Sequence, residues 1–134
     1  MGIFDFLKPQ KHGQFISERT FNDNRYKQLK MTSKILDQLR KLNVTESKEL
    51  ELEYFFYTNT EEKAENLNDE LIKLNYESHY SLATHNSNEY VITGKTNRIK
   101  MTNNIVLKWS VQMCELGYNY DCCFDGWGTN PNQD

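Results

Sequence analysis

No run of apolar side chains in this sequence approaches the roughly 20 residues needed to cross a bilayer. The opening Met1-Gly2-Ile3-Phe4-Asp5-Phe6-Leu7-Lys8 is too short and too acidic for the apolar stretch of a signal peptide. Position 6 is Phe, where a myristoylation signal needs Ser or Thr. Cysteine is scarce: three residues cannot all pair, and with no mark of export they read as reduced thiols in a cytoplasmic protein. Cys114, Cys122 and Cys123, even with His79 and His85, show no Cys-x-x-Cys or His-x-x-x-His spacing, so no metal is expected. Thr93-Gly94-Lys95-Thr96 has the end of a phosphate-binding loop, but position 89 is Glu where that motif needs Gly. No Ser, Cys or His sits in a context that would activate a nucleophile. An enzyme and a bound cofactor are therefore not expected.

What is present suits a small folded domain. Of 134 residues, 37% are hydrophobic and 13% aromatic, which supplies large core side chains and argues against disorder throughout. The net charge of −3 conceals an asymmetry. Residues 1–48 carry ten Lys/Arg against five Asp/Glu, net +5; residues 49–134 carry six against fourteen, net −8. A basic, partly helical extension (1–48) thus precedes an acidic domain (49–129), and 130–134 read as a disordered tail. Charge of this kind acts on partner choice rather than on fold.

In the leader, residues 8–20 read as a linker. Tyr26 and Leu29, then Ile35, Leu36, Leu39 and Leu42, predict helix in two pieces, with Thr32 or Ser33 capping the second and Asn43 ending it in a left-handed conformation. From residue 50 the pattern sharpens. Leu50-Glu51-Leu52-Glu53-Tyr54-Phe55-Phe56-Tyr57 predicts a strand. Thr60 caps a helix with the stripe Ala64, Leu67, Leu71 and Leu74, stopped at Asn75. A hairpin over 76–96 turns at 86–88. Thr102 then caps a second helix with the stripe Val106, Trp109, Met113 and Leu116, stopped at Gly117, and 118–127 form a last strand. Each feature of the second helix lies 42 residues after its counterpart in the first. Two strand–helix–strand units in tandem give βαββαβ, an α+β ferredoxin-like sandwich with both helices on one face of the sheet.

Alternation assigns the faces. Leu50, Leu52, Tyr54 and Phe56 turn to the helices, as do Tyr118, Tyr120, Cys122 and Phe124. Glu51, Glu53, Phe55 and Tyr57 turn outward, with Asn119, Asp121, Cys123, Asp125 and Trp127 on the last strand. The open face is thus expected to mix carboxylates with aromatics. Its sign is wrong for phosphate, so direct nucleic-acid binding is not expected of it; a protein with a basic patch fits better, and a merely solvated acidic face is the plain alternative. Glu51, Glu53, Phe55, Tyr57, Asp121, Asp125 and Trp127 form the candidate partner-binding set. Asp121 and Asp125 on one strand face stand ~13 Å apart, too wide for a coupled catalytic pair.

The most distinctive segment is Phe124-Asp125-Gly126-Trp127-Gly128-Thr129. Structurally, its glycines permit a bulge or turn and Trp127 covers core or sheet edge; functionally, Trp127 would be an anchor in a partner's pocket. The segment resembles the (Phe/Tyr)-Asp-Gly-Trp-Gly-Thr ending of the regulator of ribonuclease activity B family, RraB. The strand from Leu52 to Thr58 and the helix endings Leu74-Asn75-Tyr76 and Leu116-Gly117-Tyr118 extend the likeness over residues 50–129. The resemblance implies a non-catalytic ferredoxin-like domain that binds the endoribonuclease RNase E and inhibits RNA processing. The basic leader departs from the family and is read as a docking element of its own.

The expectation from these readings is a cytoplasmic, non-enzymatic regulator that binds an RNase E-type endoribonuclease or its scaffold region and lowers its activity. Two alternatives belong to other classes. One is an RNA-binding module that stacks bases on Phe55 and Tyr57 while the leader grips phosphate. The other is an immunity-type inhibitor of a different enzyme. The oligomeric state is not legible.

Overall fold

The computed structural model describes residues 13–84 and 88–133. His85, most of the turn expected at 86–88 and residues 8–12 of the expected linker lie outside the described residues. The elements run α1 (Glu18–Lys41), β1 (Glu49–Thr58), α2 (Glu61–Lys73), β2 (Glu77–Leu82), β3 (Tyr90–Lys100), α3 (Asn103–Asn119) and β4 (Cys123–Gly128). The protein is α+β: three helices and one four-stranded sheet of order β2-β3-β1-β4, antiparallel at every strand contact.

The alternation in β1 holds along its length. Leu50, Leu52, Tyr54 and Phe56 are fully buried under α2 and α3, and the stripe residues Ala64, Leu67, Leu71, Val106, Trp109 and Met113 close the core over them. Leu74 does not join them: as the C-cap of α2 it is 48% exposed. Both caps expected at Thr60 and Thr102 are formed, each hydroxyl accepting the backbone N–H three residues on, from Lys63 and Ile105. This satisfies one of the donors a helix start leaves open.

All three helices end in the same way. Asn43, Asn75 and Asp121 take positive φ of 68°, 66° and 59°. The residue after each donates to the carbonyl five back: Val44 to Leu39, Tyr76 to Leu71 and Cys122 to Gly117. This is the Schellman arrangement, with the short polar side chains that best tolerate left-handed backbone. Asn43 and Asn75 stop their helices as expected. The third stop corrects the expectation. α3 runs through Gly117 for one further turn and breaks at Asp121, so the 42-residue correspondence holds at the helix starts and becomes 46 at the ends. Gly117 is needed inside the helix because a Cβ there would stand 2.7 Å from the Cys122 carbonyl and 2.9 Å from the Phe56 ring. Tyr118, Tyr120 and Asp121 therefore belong to the helix and its cap, and the last strand begins only at Cys123.

A second correction concerns the phase of β4. Phe56 pairs with Phe124 and Phe55 with Gly126, so Asp125 is an extra residue in the strand. Gly126, at φ +122°, supplies the backbone that such a bulge needs. The bulge returns Trp127 opposite Tyr54, on the helix side of the sheet.

The leader is one continuous helix from residue 18, not two pieces. Nothing between Glu18 and Lys41 interrupts it: there is no Pro or Gly. Its N-cap is Ser17, whose hydroxyl accepts the Thr20 amide at 3.1 Å. Thr32, the expected cap, is buried mid-helix and receives the Trp127 indole N–H at 2.9 Å. α1 packs on α3 and along β4, one of the two edge strands. Leu36, Leu39 and Val44 enter the common core, Phe21 stacks on Tyr118 at 4.4 Å, and Asn24 and Gln28 both donate to the Phe124 carbonyl. An edge strand is thereby covered, which guards it against pairing with other chains.

Candidate functional site

The open face of the sheet carries Glu51 and Glu53, both exposed, and Phe55 and Tyr57, both half-buried. They lie where alternation puts them. Their neighbours, however, come from β3, which runs past Thr96 to Lys100. Glu49 pairs with Lys100, Glu51 with Arg98 and Glu53 with Lys95. Directly opposed charges of unlike sign stabilise a sheet by roughly 0.2–1 kcal/mol each. The face is therefore a mixed-charge array around two aromatics and not the acidic surface expected. Lys95 lies inside the expected strand, but Arg98 and Lys100 lie beyond its expected end and past a β3 bulge: between the Glu51–Arg98 and Glu53–Lys95 pairs, β3 carries one extra residue, and the Thr96 hydroxyl there accepts the Leu52 amide at 2.9 Å.

Two members of the expected set are elsewhere. Trp127 is 7% exposed. Its ring meets Trp109 edge-on at 5.9 Å and its N–H is spent on Thr32, so of the two readings weighed for it the structural one holds. Asp121 is a clasp. Its two carboxylate oxygens accept the backbone N–H groups of Phe15 (2.7 Å) and Ile16 (2.8 Å), and Lys63 pairs with it at 2.7 Å. Lys63 also donates to the Gly13 carbonyl and to Asn59. The left-handed cap of α3 thus holds residues 13–16, the segment before α1, against the first turn of α2. Asp125 stays exposed at the bulge. It lines an open groove of about 470 Å³ with Phe15, Ile16, Thr20, Tyr57, Glu89 and Cys123. Residues 130–133, read as tail, fold back over β1: the Gln133 amide accepts from the Glu51 N–H (2.8 Å) and donates to its C=O (2.9 Å).

The cysteines are free; Cys114 and Cys122 are buried and Cys123 half-buried. Burial pushes the Cys114 and Cys122 thiols up to about 12 and raises that of Cys123, which removes the thiolate that reactivity needs. Among the described residues no group of three or more His, Cys, Asp or Glu is placed to hold a metal. Thr93-Gly94-Lys95-Thr96 lies within β3, where Gly94 serves packing: the Tyr54 phenol crosses it to donate to the Glu77 carbonyl at 2.8 Å.

Two charged surfaces did not stand out from spacing alone. On α2, Glu61, Glu62, Glu65 and Asp69 are exposed. The cation of its first turns, Lys63, is turned away into the Asp121 clasp. The acids act jointly on Tyr80 of β2: burial raises its phenol first, then the Glu61 hydrogen bond and the charges of Glu65 and Asp69. On α1, Lys27, Lys30, Lys34 and Lys41 are exposed, opposite the buried Gln28, Thr32, Leu36 and Leu39. α1 lies against α3 and β4, and α2 against β2 and β3, so the basic and acidic faces occupy opposite margins of the sheet. Lys27, Lys30, Lys34 and Lys41 lie on a helix packed against α3 and β4, whereas Phe55 and Tyr57 lie on the open face of the sheet.

These features define a small α+β domain whose distinctive surfaces are charged helix faces at its two margins. Among the described residues no helix is long and apolar enough to cross a membrane. The family model of RraB, Regulator of ribonuclease activity B, matches residues 29–129, and the chain belongs to this family. The family's name implies regulation of ribonuclease activity. The match takes in the C-terminal half of α1, so part of the leader is family structure and not an addition. No curated protein matches the chain.

Proposed function

We propose that this protein is a non-enzymatic, cytoplasmic regulator that binds an RNase E-type endoribonuclease, or its scaffold region, and lowers its activity. The observation that carries the reading is the acidic face of α2, in a chain whose family regulates a ribonuclease. Nucleases of that kind present basic surfaces to RNA, and four exposed carboxylates offer the complement, the cation one turn beyond them, Lys73, being paired with Glu70. Electrostatic matching of this sort governs encounter rate and selectivity. The open sheet face is the second contact surface, through Phe55, Tyr57, Glu51, Glu53 and Asp125, but Lys95 and Arg98 offset its carboxylates. The strand order β2-β3-β1-β4 supports a ferredoxin-like reading of the domain that carries both surfaces.

The test is binding of the full chain to a purified RNase E-type nuclease, measured at low and high salt. Reversal at Glu61, Glu65 and Asp69 to Lys should weaken binding at least tenfold and flatten its salt dependence. Reversal at Glu51 and Glu53 should do less. Binding that ignores both salt and the α2 reversals would refute the electrostatic reading, and absence of binding would refute the choice of partner.

A further inference from the structure

Four lysines of the basic leader share one face of α1. Lys27, Lys30, Lys34 and Lys41 recur at three, four and seven residues, which keeps them on one side of a helix. At 1.5 Å per residue they span about 21 Å. None takes part in an ion pair among the described residues. Asp23 and Asp37 share the exposed side and leave a positive surplus. Lys30 holds its ammonium 4.8 Å from the centroid of the Tyr26 ring, and that ring is 64% exposed. A solvent-facing aromatic thus stands beside a row of cations.

We infer that this face of α1 binds single-stranded RNA. Lysines are point charges that follow a phosphate backbone without demanding one geometry, and an exposed tyrosine gives a base a surface to stack on. An acidic polypeptide is the competing occupant. Carboxylates are gripped best by the forked guanidinium. Two of the three arginines of α1 are engaged within the chain: Arg25 lies over Phe21 and bonds Asn22, and Arg40 bonds the carbonyls of Val44 and Met101. Arg19 is exposed about two turns before Lys27, so lysines dominate the exposed cations of this side. With α2 at the opposite margin, one domain can hold an RNA strand and meet a basic protein surface at the same time. The inference goes beyond the nuclease-binding reading and does not need it, because its test contains no nuclease.

Fluorescence anisotropy of a labelled 20-nucleotide single-stranded RNA against the full chain decides it. Four lysines on four phosphates predict a salt slope near −2.8, an affinity loss of roughly 50-fold between 50 and 200 mM salt. Lys27→Glu, Lys30→Glu and Lys34→Glu together should cost at least tenfold at 50 mM and bring the slope toward zero, with the helical circular dichroism unchanged. The corresponding triple Gln variant keeps the test intact if the reversal perturbs folding. Tyr26→Ala should weaken binding several-fold and leave the slope alone. The inference is overturned by absence of wild-type binding at 50 mM, or by binding and slope that survive the triple change. Loss confined to Phe55→Ala with Tyr57→Ala, or competition by polyglutamate as strong as that by unlabelled RNA, overturns it equally.

Discussion

Trp127→Phe keeps a large aromatic in place and deletes one N–H. That N–H donates to the Thr32 hydroxyl at 2.9 Å between two buried side chains, and it ties β4 to α1 across 95 residues of sequence. Leaving the Thr32 oxygen short of a donor costs about 1–3 kcal/mol. The smaller ring opens space beside Trp109, whose ring meets that of Trp127 edge-on, for about another 1 kcal/mol. The expected loss is therefore about 2–4 kcal/mol in urea unfolding followed by far-UV circular dichroism. Thr32→Val removes the other partner and strands the indole, for about 1–3 kcal/mol. Because each single change strands the group that the other removes, the double variant should lose less than the two singles summed, by about 1–2 kcal/mol. A surface anchor would behave otherwise: Trp127→Phe would leave stability within about 0.5 kcal/mol and act only on partner binding. That result, or strictly additive single changes, would refute the packing described for the Asp-Gly-Trp-Gly-Thr segment.

Two further perturbations test the core. Gly94→Ala places a Cβ 1.8 Å from the Glu77 carbonyl oxygen and 2.8 Å from the Tyr54 hydroxyl. It must push β2 aside or break the Tyr54–Glu77 bond, so a loss above about 3 kcal/mol is expected in the same assay; a loss under about 1 kcal/mol would contradict the crossing. Burial raises the Cys114 and Cys122 thiols and the Tyr54 phenol to about 12, so these groups ionise more readily in the unfolded chain. Their contribution is complete below about pH 9 for the thiols and about pH 10 for the phenol, and it declines as pH rises toward 12, by up to about 1.4 kcal/mol per unit for each group. Unfolding free energy should fall by roughly 3 kcal/mol between pH 8 and 10, mostly from the thiols, and Cys114→Ala with Cys122→Ala should remove most of that slope.

The nuclease-binding and RNA-binding readings make opposite demands on the two margins of the sheet. Reversal on α2 should act on the protein partner, and reversal on α1 on RNA. The mixed open face predicts little salt dependence for whatever it contacts, since each exposed Glu of β1 from Glu49 to Glu53 faces a Lys or Arg of β3.

What lies within a few residues was legible before any coordinates. Thr60 and Thr102 cap their helices, Asn43 and Asn75 end theirs, and β1 alternates as its side chains alternate, because capping, left-handed stops and strand faces are decided by near neighbours. Tertiary structure decided the rest. Whether Gly117 ended α3 depended on how closely the Phe56 ring and the Cys122 carbonyl approach it. The phase of β4, and with it the side taken by Trp127, depended on a bulge that exists only in the pairing with β1. The sign of the open face depended on which strand lies beside β1 and in what register. Asp121 looked like an outward acid until the fold brought Lys63 and two leader amides to it. Spacing along a chain states which residues share a face; it does not state what will stand opposite them, because that partner arrives from tens of residues away.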